Sequence, residues 1–181
     1  MKRLLYCLPL VGSLLGCAGA DRPDPDSPFW LPPVGTLVDL HQALTVPPPA
    51  ARLFVQRGEL TSSGGHDQYY PSCNFELEKI SEQPQVIEPG RFSVVRVWGQ
   101  QGDYVQQLPG RQAGALLADN QDAGSTMVIH QVHMRLASKQ QPDVRNLSCR
   151  GGLDDPWLAR PPSVDEMREA LGEIADIVLP E

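Results

Sequence analysis

Four cysteines and four histidines carry whatever thiol, metal or acid–base chemistry this chain can perform: Cys7, Cys17, Cys73 and Cys149, with His41, His66, His130 and His133. An enzymatic reading starts at Cys73, in "YYPSCNFEL". A catalytic thiol belongs at a helix N-terminus or beside a cation, where its pKa falls. The residues after Cys73 instead alternate apolar and polar, as a strand does. His130 and His133 stand three apart, a ligand spacing on a helix, but on a strand they face opposite ways. The β-branched residues around them favour the strand. No Cys-x-x-Cys, His-Glu-x-x-His or aspartate-rich calcium loop occurs. A Gly-x-Ser-x-Gly elbow and a phosphate-binding glycine loop are also missing. The expectation is therefore no catalytic set, no metal and no cofactor.

The elements that must position these residues read mostly as strands. "TLVDL" (36–40) and "RLFVQRGEL" (52–60) are rich in aliphatic residues and bounded by glycine or proline. In "CNFELEKI" (73–80), Cys73, Phe75 and Leu77 share one face, which predicts a half-buried strand with Cys73 turned inward. "RFSVVRVWG" (91–99) follows a Glu-Pro-Gly turn, and "DYVQQL" (103–108) could return as its hairpin partner. The longest candidate is "STMVIHQVHMRLAS" (125–138), with Val128, His130, Val132, Met134 and Leu136 on one face. "DVRNLSC" (143–149) follows a turn at Gln140-Gln141-Pro142 and points Leu147 and Cys149 inward. One helix is expected over about 163–178. Ser163 and Glu166 form a capping box, and Met167, Leu171, Ile174 and Val178 make an apolar stripe. Eighteen prolines and sixteen glycines argue against a helical bundle. The expected fold is mainly β: a compact β-sandwich or partly open barrel with one C-terminal amphipathic helix. No internal repeat is present.

The N-terminus carries the most specific signal. Met1-Lys2-Arg3 precedes an apolar run from Leu4 to Leu15, the layout of an export signal. The run is too short to span a bilayer, which takes roughly 20 residues. Leu14-Leu15-Gly16-Cys17 resembles the lipobox of bacterial lipoproteins: an aliphatic residue, a tolerant position, a small residue and the cysteine. The resemblance covers only the first twenty or so residues. It implies cleavage before Cys17, lipidation of the Cys17 thiol and attachment to membrane through the lipid. With two or three acyl chains the attachment would be effectively permanent. In Gram-negative lipoproteins an aspartate just after the cysteine commonly favours the inner membrane. Ala18 stands there instead, which implies the periplasmic face of the outer membrane.

On this reading Cys7 leaves with the signal and Cys17 is taken by lipid. Cys73 and Cys149 then remain in an oxidising compartment, where two thiols most often pair; free thiols and a metal pair are the alternatives. The expected organisation is a signal peptide over 1–16, a lipidated tether over 17–34 and one β-rich domain over 35–181. "DRPDPDSP" (21–28) cannot form a helix and stays extended and solvated. Phe29, Trp30 and Leu31 interrupt that polarity, either docking on the domain or offering a partner an anchor.

The full chain has a net charge of −7, and loss of Lys2 and Arg3 lowers it by two, to −9. So acidic a chain, with no Lys/Arg cluster visible, excludes nucleic acid and anionic lipid surfaces as expected partners. "SSGGHDQYY" (62–70) reads as a flexible loop whose Tyr69 and Tyr70 could stack on a sugar or peptide. Trp98, Trp157 and Tyr104 are further aromatics, but at 6% aromatic content they are first assigned to core and loop packing. Phe29, Trp30, Tyr69 and Tyr70 are the candidate partner contacts. The function expected is that of a non-enzymatic envelope lipoprotein that binds an envelope protein or helps assemble it. A small cell-wall hydrolase or glycan-binding protein is the alternative.

Overall fold

A computed structural model describes Asp24, residues 26–105 and residues 126–180, with the side chains of Tyr104 and Val105 excepted. The export segment, the lipobox with Cys17, most of the tether and the expected strand residues 106–108 lie outside the described residues. The chain forms β1 (Leu37–Leu40), β2 (Leu44–Val46), β3 (Arg52–Gln56), β4 (Glu59–Thr61), β5 (Ser72–Leu77) and β6 (Gln85–Ile87). Then follow β7 (Gly90–Val105), β8 (Thr126–Ala137), β9 (Val144–Arg150), α1 (Val164–Leu171) and β10 (Ala175–Val178). Eight strands make one curled half-barrel sheet in the order β10-β1-β7-β8-β9-β5-β3-β4, and β2 and β6 pair separately. Every strand pairing among the described residues is antiparallel, and the fold is mainly β, as expected.

The inner face of the sheet is the apolar face of each alternating strand. Phe75, Phe92, Met134, Leu147 and Ile177 are fully buried there, and Met167 and Leu171 of α1 close over them. Removing each such side chain from water contributes about 1.5–3 kcal/mol. Cys73 and Cys149 sit directly opposite each other on β5 and β9, with Cα atoms 4.0 Å apart, and are joined as a disulfide. The bond lies under α1, with the Cys73 sulfur 3.8 Å from the Met167 carbonyl oxygen. The expected pairing is thus present, and Cys73 is not a free thiol.

Three expectations need correction. Residues 52–60 are not one strand but the β3–β4 hairpin. Arg57 and Gly58 both have positive φ (54° and 76°), the signature of a tight two-residue turn. Residues 103–105 do not return as a partner of 91–99. β7 continues without a turn from Gly90 to Val105 and pairs with β8 from Ser93 to Val105. A bulge at Val95 resets the alternation so that Val97 again packs against the core.

The C-terminal helix is also shorter than its apolar stripe. It opens on the predicted capping box: the Ser163 hydroxyl accepts from the Glu166 N–H and the Glu166 carboxylate accepts from the Ser163 N–H. It stops at Gly172, whose left-handed φ of 57° a helix interior does not allow. A 3₁₀ turn through Ile174 leads into β10, which covers the otherwise open edge of β1. Met167, Leu171 and Ile174 are buried as the stripe requires, but Ile177 replaces Val178 as the inward residue.

Gly58 and Gly172 bring the two ends of the sheet together. The Gly58 N–H donates to the Ala170 carbonyl at 3.0 Å. A Cβ on Gly172 would stand 2.5 Å from the Gly58 Cα. The β3–β4 turn and the end of α1 therefore touch backbone to backbone, which only glycine permits. At the other end of the chain, Trp30 and Leu31 pack on the core as docking residues, whereas Phe29 is 77% exposed.

Candidate functional site

Two loops at one end of the sheet carry the exposed Tyr69, Tyr70 and Trp157. The β4–β5 loop (residues 62–71) is fastened to the sheet at several points. The Gln56 amide donates to the carbonyls of Asp67 (2.8 Å) and Tyr70 (3.2 Å) and accepts from the Asp67 N–H (2.9 Å). The His66 ring stacks on Phe54 with centroids 5.2 Å apart. The Arg57 guanidinium lies 4.1 Å from the centre of the Tyr70 ring, a cation–π contact.

The loop after β9 runs alongside. The Leu153 N–H donates to the Gln68 carbonyl at 2.8 Å, and Gly152 lies against the Tyr69 carbonyl. Asp154 bridges back to Val128 of β8. Arg160 then makes a two-pronged ion pair with Glu166 (2.6 and 2.7 Å), tying the loop to the first turn of α1. That arginine holds the Glu166 carboxyl below its ordinary value. Tyr69 and Leu158 line one recess of about 160 Å³. Tyr69 and Tyr70 are about half exposed, Leu158 is 59% and Trp157 79% exposed. Composition assigns Trp157 to packing, and the structure leaves it exposed. Its setting, "DDPWLARPP", has no alternation to bury it, and that was the available signal.

A second surface is the outer face of the sheet. Cross-strand register aligns Phe54, Asn74, Ser148, His133 and Trp98 in one row across β3, β5, β9, β8 and β7. The adjacent row reads Arg52, Glu76, Asn146, Arg135 and Arg96, and on the other side stand Ser72, Arg150, Gln131 and Gln100. Glu76 accepts from Arg52 (3.1 Å) and from Asn146 (2.9 Å). Burial pulls the Glu76 carboxyl up, but these bonds and the charges of Arg52 and Arg145 outweigh it and hold the carboxyl low. Arg135 and Arg145 both approach Glu78, at 3.8 and 3.7 Å. The β3 end of this face opens into a groove of about 930 Å³ lined by Arg52, Phe54, Leu60, Glu76, Glu78 and Arg145 among others.

His133 lies at the centre of the face. Its Nδ1 is 2.8 Å from the Ser148 hydroxyl oxygen, and its ring stacks on Trp98 with centroids 5.0 Å apart. Burial pushes the imidazole below the usual histidine range, against the pull of Glu76, so it is neutral at pH 7. His130 and His133 occupy opposite faces of β8, as expected of a strand, and His130 is half-buried. His41 instead contacts the Glu173 carbonyl at 3.1 Å. Among the described residues no group of three His, Cys, Asp or Glu is placed to hold a metal. Trp30 packs on the core with Phe29 exposed beside it in the chain, whereas Tyr69 and Tyr70 sit on the β4–β5 loop. No family model, no curated protein and no solved structure matches this chain.

Proposed function

We infer that this protein is a lipid-anchored envelope component with a binding or assembly-accessory role. It is tethered through Cys17 at the periplasmic face of the outer membrane and engages another envelope protein. The lipobox, the export segment and the extended Pro/Asp tether support the anchoring. One observation carries the binding role. Tyr69, Tyr70, Trp157 and Leu158 stand in solvent on two loops that hydrogen bonds fasten to the sheet and to each other. Aromatic residues held rigidly in solvent lose little conformational entropy on docking, the property that makes tyrosine and tryptophan dominate protein interfaces.

The test is photo-crosslinking in intact cells from a benzophenone side chain at position 157, with Trp157→Ala and Cys17→Ser as controls. One dominant envelope protein, captured only by the anchored form, is the expected result. Recovery of no reproducible protein from this position would overturn the binding role. Membrane fractionation of Cys17→Ser identical to wild type would overturn the anchoring.

A further inference from the structure

Both ends of the sheet are blunted against a further strand. At β10 the Ile177 N–H donates to the Asp176 carboxylate at 2.7 Å, and the Ile177 carbonyl accepts from the Arg168 guanidinium at 3.1 and 2.7 Å. At the other end β4 is three residues long, and the Gly58–Ala170 bond holds the turn before it against α1. Short edges and side-chain plugs are common ways of protecting a sheet edge. β7 lacks such protection. β1 covers its outer side only from Gly90 to Val94, and the chain before β1 turns at Pro33–Thr36 instead of continuing alongside. From Arg96 to Val105 no strand lies on that side among the described residues. We propose that this open length pairs with the same segment of a second copy of the chain, joining two half-barrels into one antiparallel sheet. The proposal does not depend on the aromatic loops.

Register decides which backbone groups face the open side. In β8 the main-chain groups of Val128 and the carbonyl of His130 bond to the segment after β9, so the even-numbered residues there point away from β7. The odd-numbered ones bond to Arg96, Trp98, Gln100, Gly102 and Tyr104. Val97, Gly99, Gln101 and Asp103 therefore aim their N–H and C=O groups outward, with no partner among the described residues. Gly99, Gln101 and Asp103 are exposed. The Gln101 amide donates to the Asp103 carboxylate at 3.2 Å, so these side chains bond each other and leave the backbone uncapped.

Length, charge and shape select a second copy as the occupant. A two-fold pairing about Gln100 sets Arg96 opposite Tyr104 and uses nearly all of the open length, whereas a pairing displaced toward Val94 would meet β1. Val97 then exchanges bonds with Asp103, and Gly99 with Gln101, making about eight main-chain hydrogen bonds in all. The segment contains Arg96 and Asp103, one charge of each sign, so it is neutral in a chain of net −7. Antiparallel pairing brings the Arg96 end of one copy beside the Asp103 end of the other, and parallel pairing would set like charge beside like. A strand from an unrelated protein would need that complementary order of charge, and this segment carries its own. Trp98 stands across from Gly102 of the second copy, where no side chain obstructs the indole.

The experiment is oxidative trapping of the full-length protein carrying Gln100→Cys, in intact cells and after purification in detergent. Cys73 and Cys149 are already joined, and wild type is the control. In the two-fold pairing the introduced thiols face each other at a non-hydrogen-bonded position, with Cα atoms about 4.5 Å apart, within the reach of a disulfide. Gly102→Cys sets them about four residues out of register, roughly 14 Å apart and beyond that reach. The expected result is a disulfide-linked homodimer from Gln100→Cys and at most a trace from Gly102→Cys. Gln101→Pro removes only an outward N–H, so β7 keeps its bonds to β8 while the edge is blocked. Sedimentation of wild-type protein should show a concentration-dependent dimer. Gln101→Pro should weaken it by about thirtyfold, the value of one main-chain bond lost from each copy. Monomer at every concentration, equal trapping at positions 100 and 102, a dimer indifferent to Gln101→Pro, or trapping of a different protein through Gln100→Cys would each overturn the proposal. Melting temperatures show that the compared variants are folded, and the trapping pair tests the same register without the proline variant.

Discussion

Opening the Cys73–Cys149 bond measures how much of the stability of this fold resides in the restriction of its unfolded chain. The bond joins positions 76 residues apart. The chain-entropy relation for a loop of that length gives about 4.5 kcal/mol at 25 °C. That is a large share of the roughly 5–15 kcal/mol that holds a domain folded. The native sheet does not need the covalent link to find its register. Asn74 faces Ser148, Phe75 faces Leu147, and both flank the cysteine pair on β5 and β9. The Cys73→Ala/Cys149→Ala variant should therefore fold, with its melting temperature lowered by about 10–15 °C for a chain of this size. Urea unfolding should show a lower midpoint and a steeper slope, because the unlinked unfolded chain exposes more surface. Both cysteines are fully buried, so the alanines also remove packed sulfur atoms. Wild-type protein reduced in place keeps the sulfurs and isolates the effect of the bond. A loss below about 1 kcal/mol on reduction, with an unchanged slope, would refute the chain-restriction reasoning.

Three further outcomes follow from the same structure. Gly172→Ala places a Cβ on the Gly58 backbone at a residue with φ of 57°, and should cost about 2–4 kcal/mol in urea unfolding. Gly64→Ala, with nothing within 4 Å, should change stability by less than about 0.5 kcal/mol. Burial lowers the His133 pKa from its unfolded value of 6.5, so the unfolded chain binds the extra proton first. Its contribution is fully present above pH 6.5 and declines as pH falls from there toward the depressed folded value. His133→Gln should remove that part of the pH dependence, and parallel stability curves for the two proteins across pH 5–7 would contradict it.

Local pattern was enough where one face of a segment is buried and the other wet. The alternation of Cys73, Phe75 and Leu77 placed β5 and turned its cysteine inward. The run from Val128 to Leu136 did the same for β8, and Ser163 with Glu166 marked the start of α1. These signals survive because backbone period and side-chain solvation act within a few residues of each other.

What local pattern could not decide was set by partners distant in the chain. The apolar stripe from Met167 to Val178 is continuous, but β1 has an edge to be covered. Ala175–Val178 pairs with it once Gly172 has ended the helix. The three-residue strands β2 and β6 have no identity until they meet each other, with Leu44 facing Ile87. The same holds for the arginines of the outer face. Arg52, Arg96, Arg135, Arg145 and Arg150 lie up to 98 positions apart, too scattered to read as a cluster. A charged patch is a property of register across five strands, and register is fixed only by the pairing of the whole sheet. The proposed export signal and its cysteine are the converse case, read from the order of charge, apolar run and small residue alone, because such an address acts through an extended segment rather than a fold.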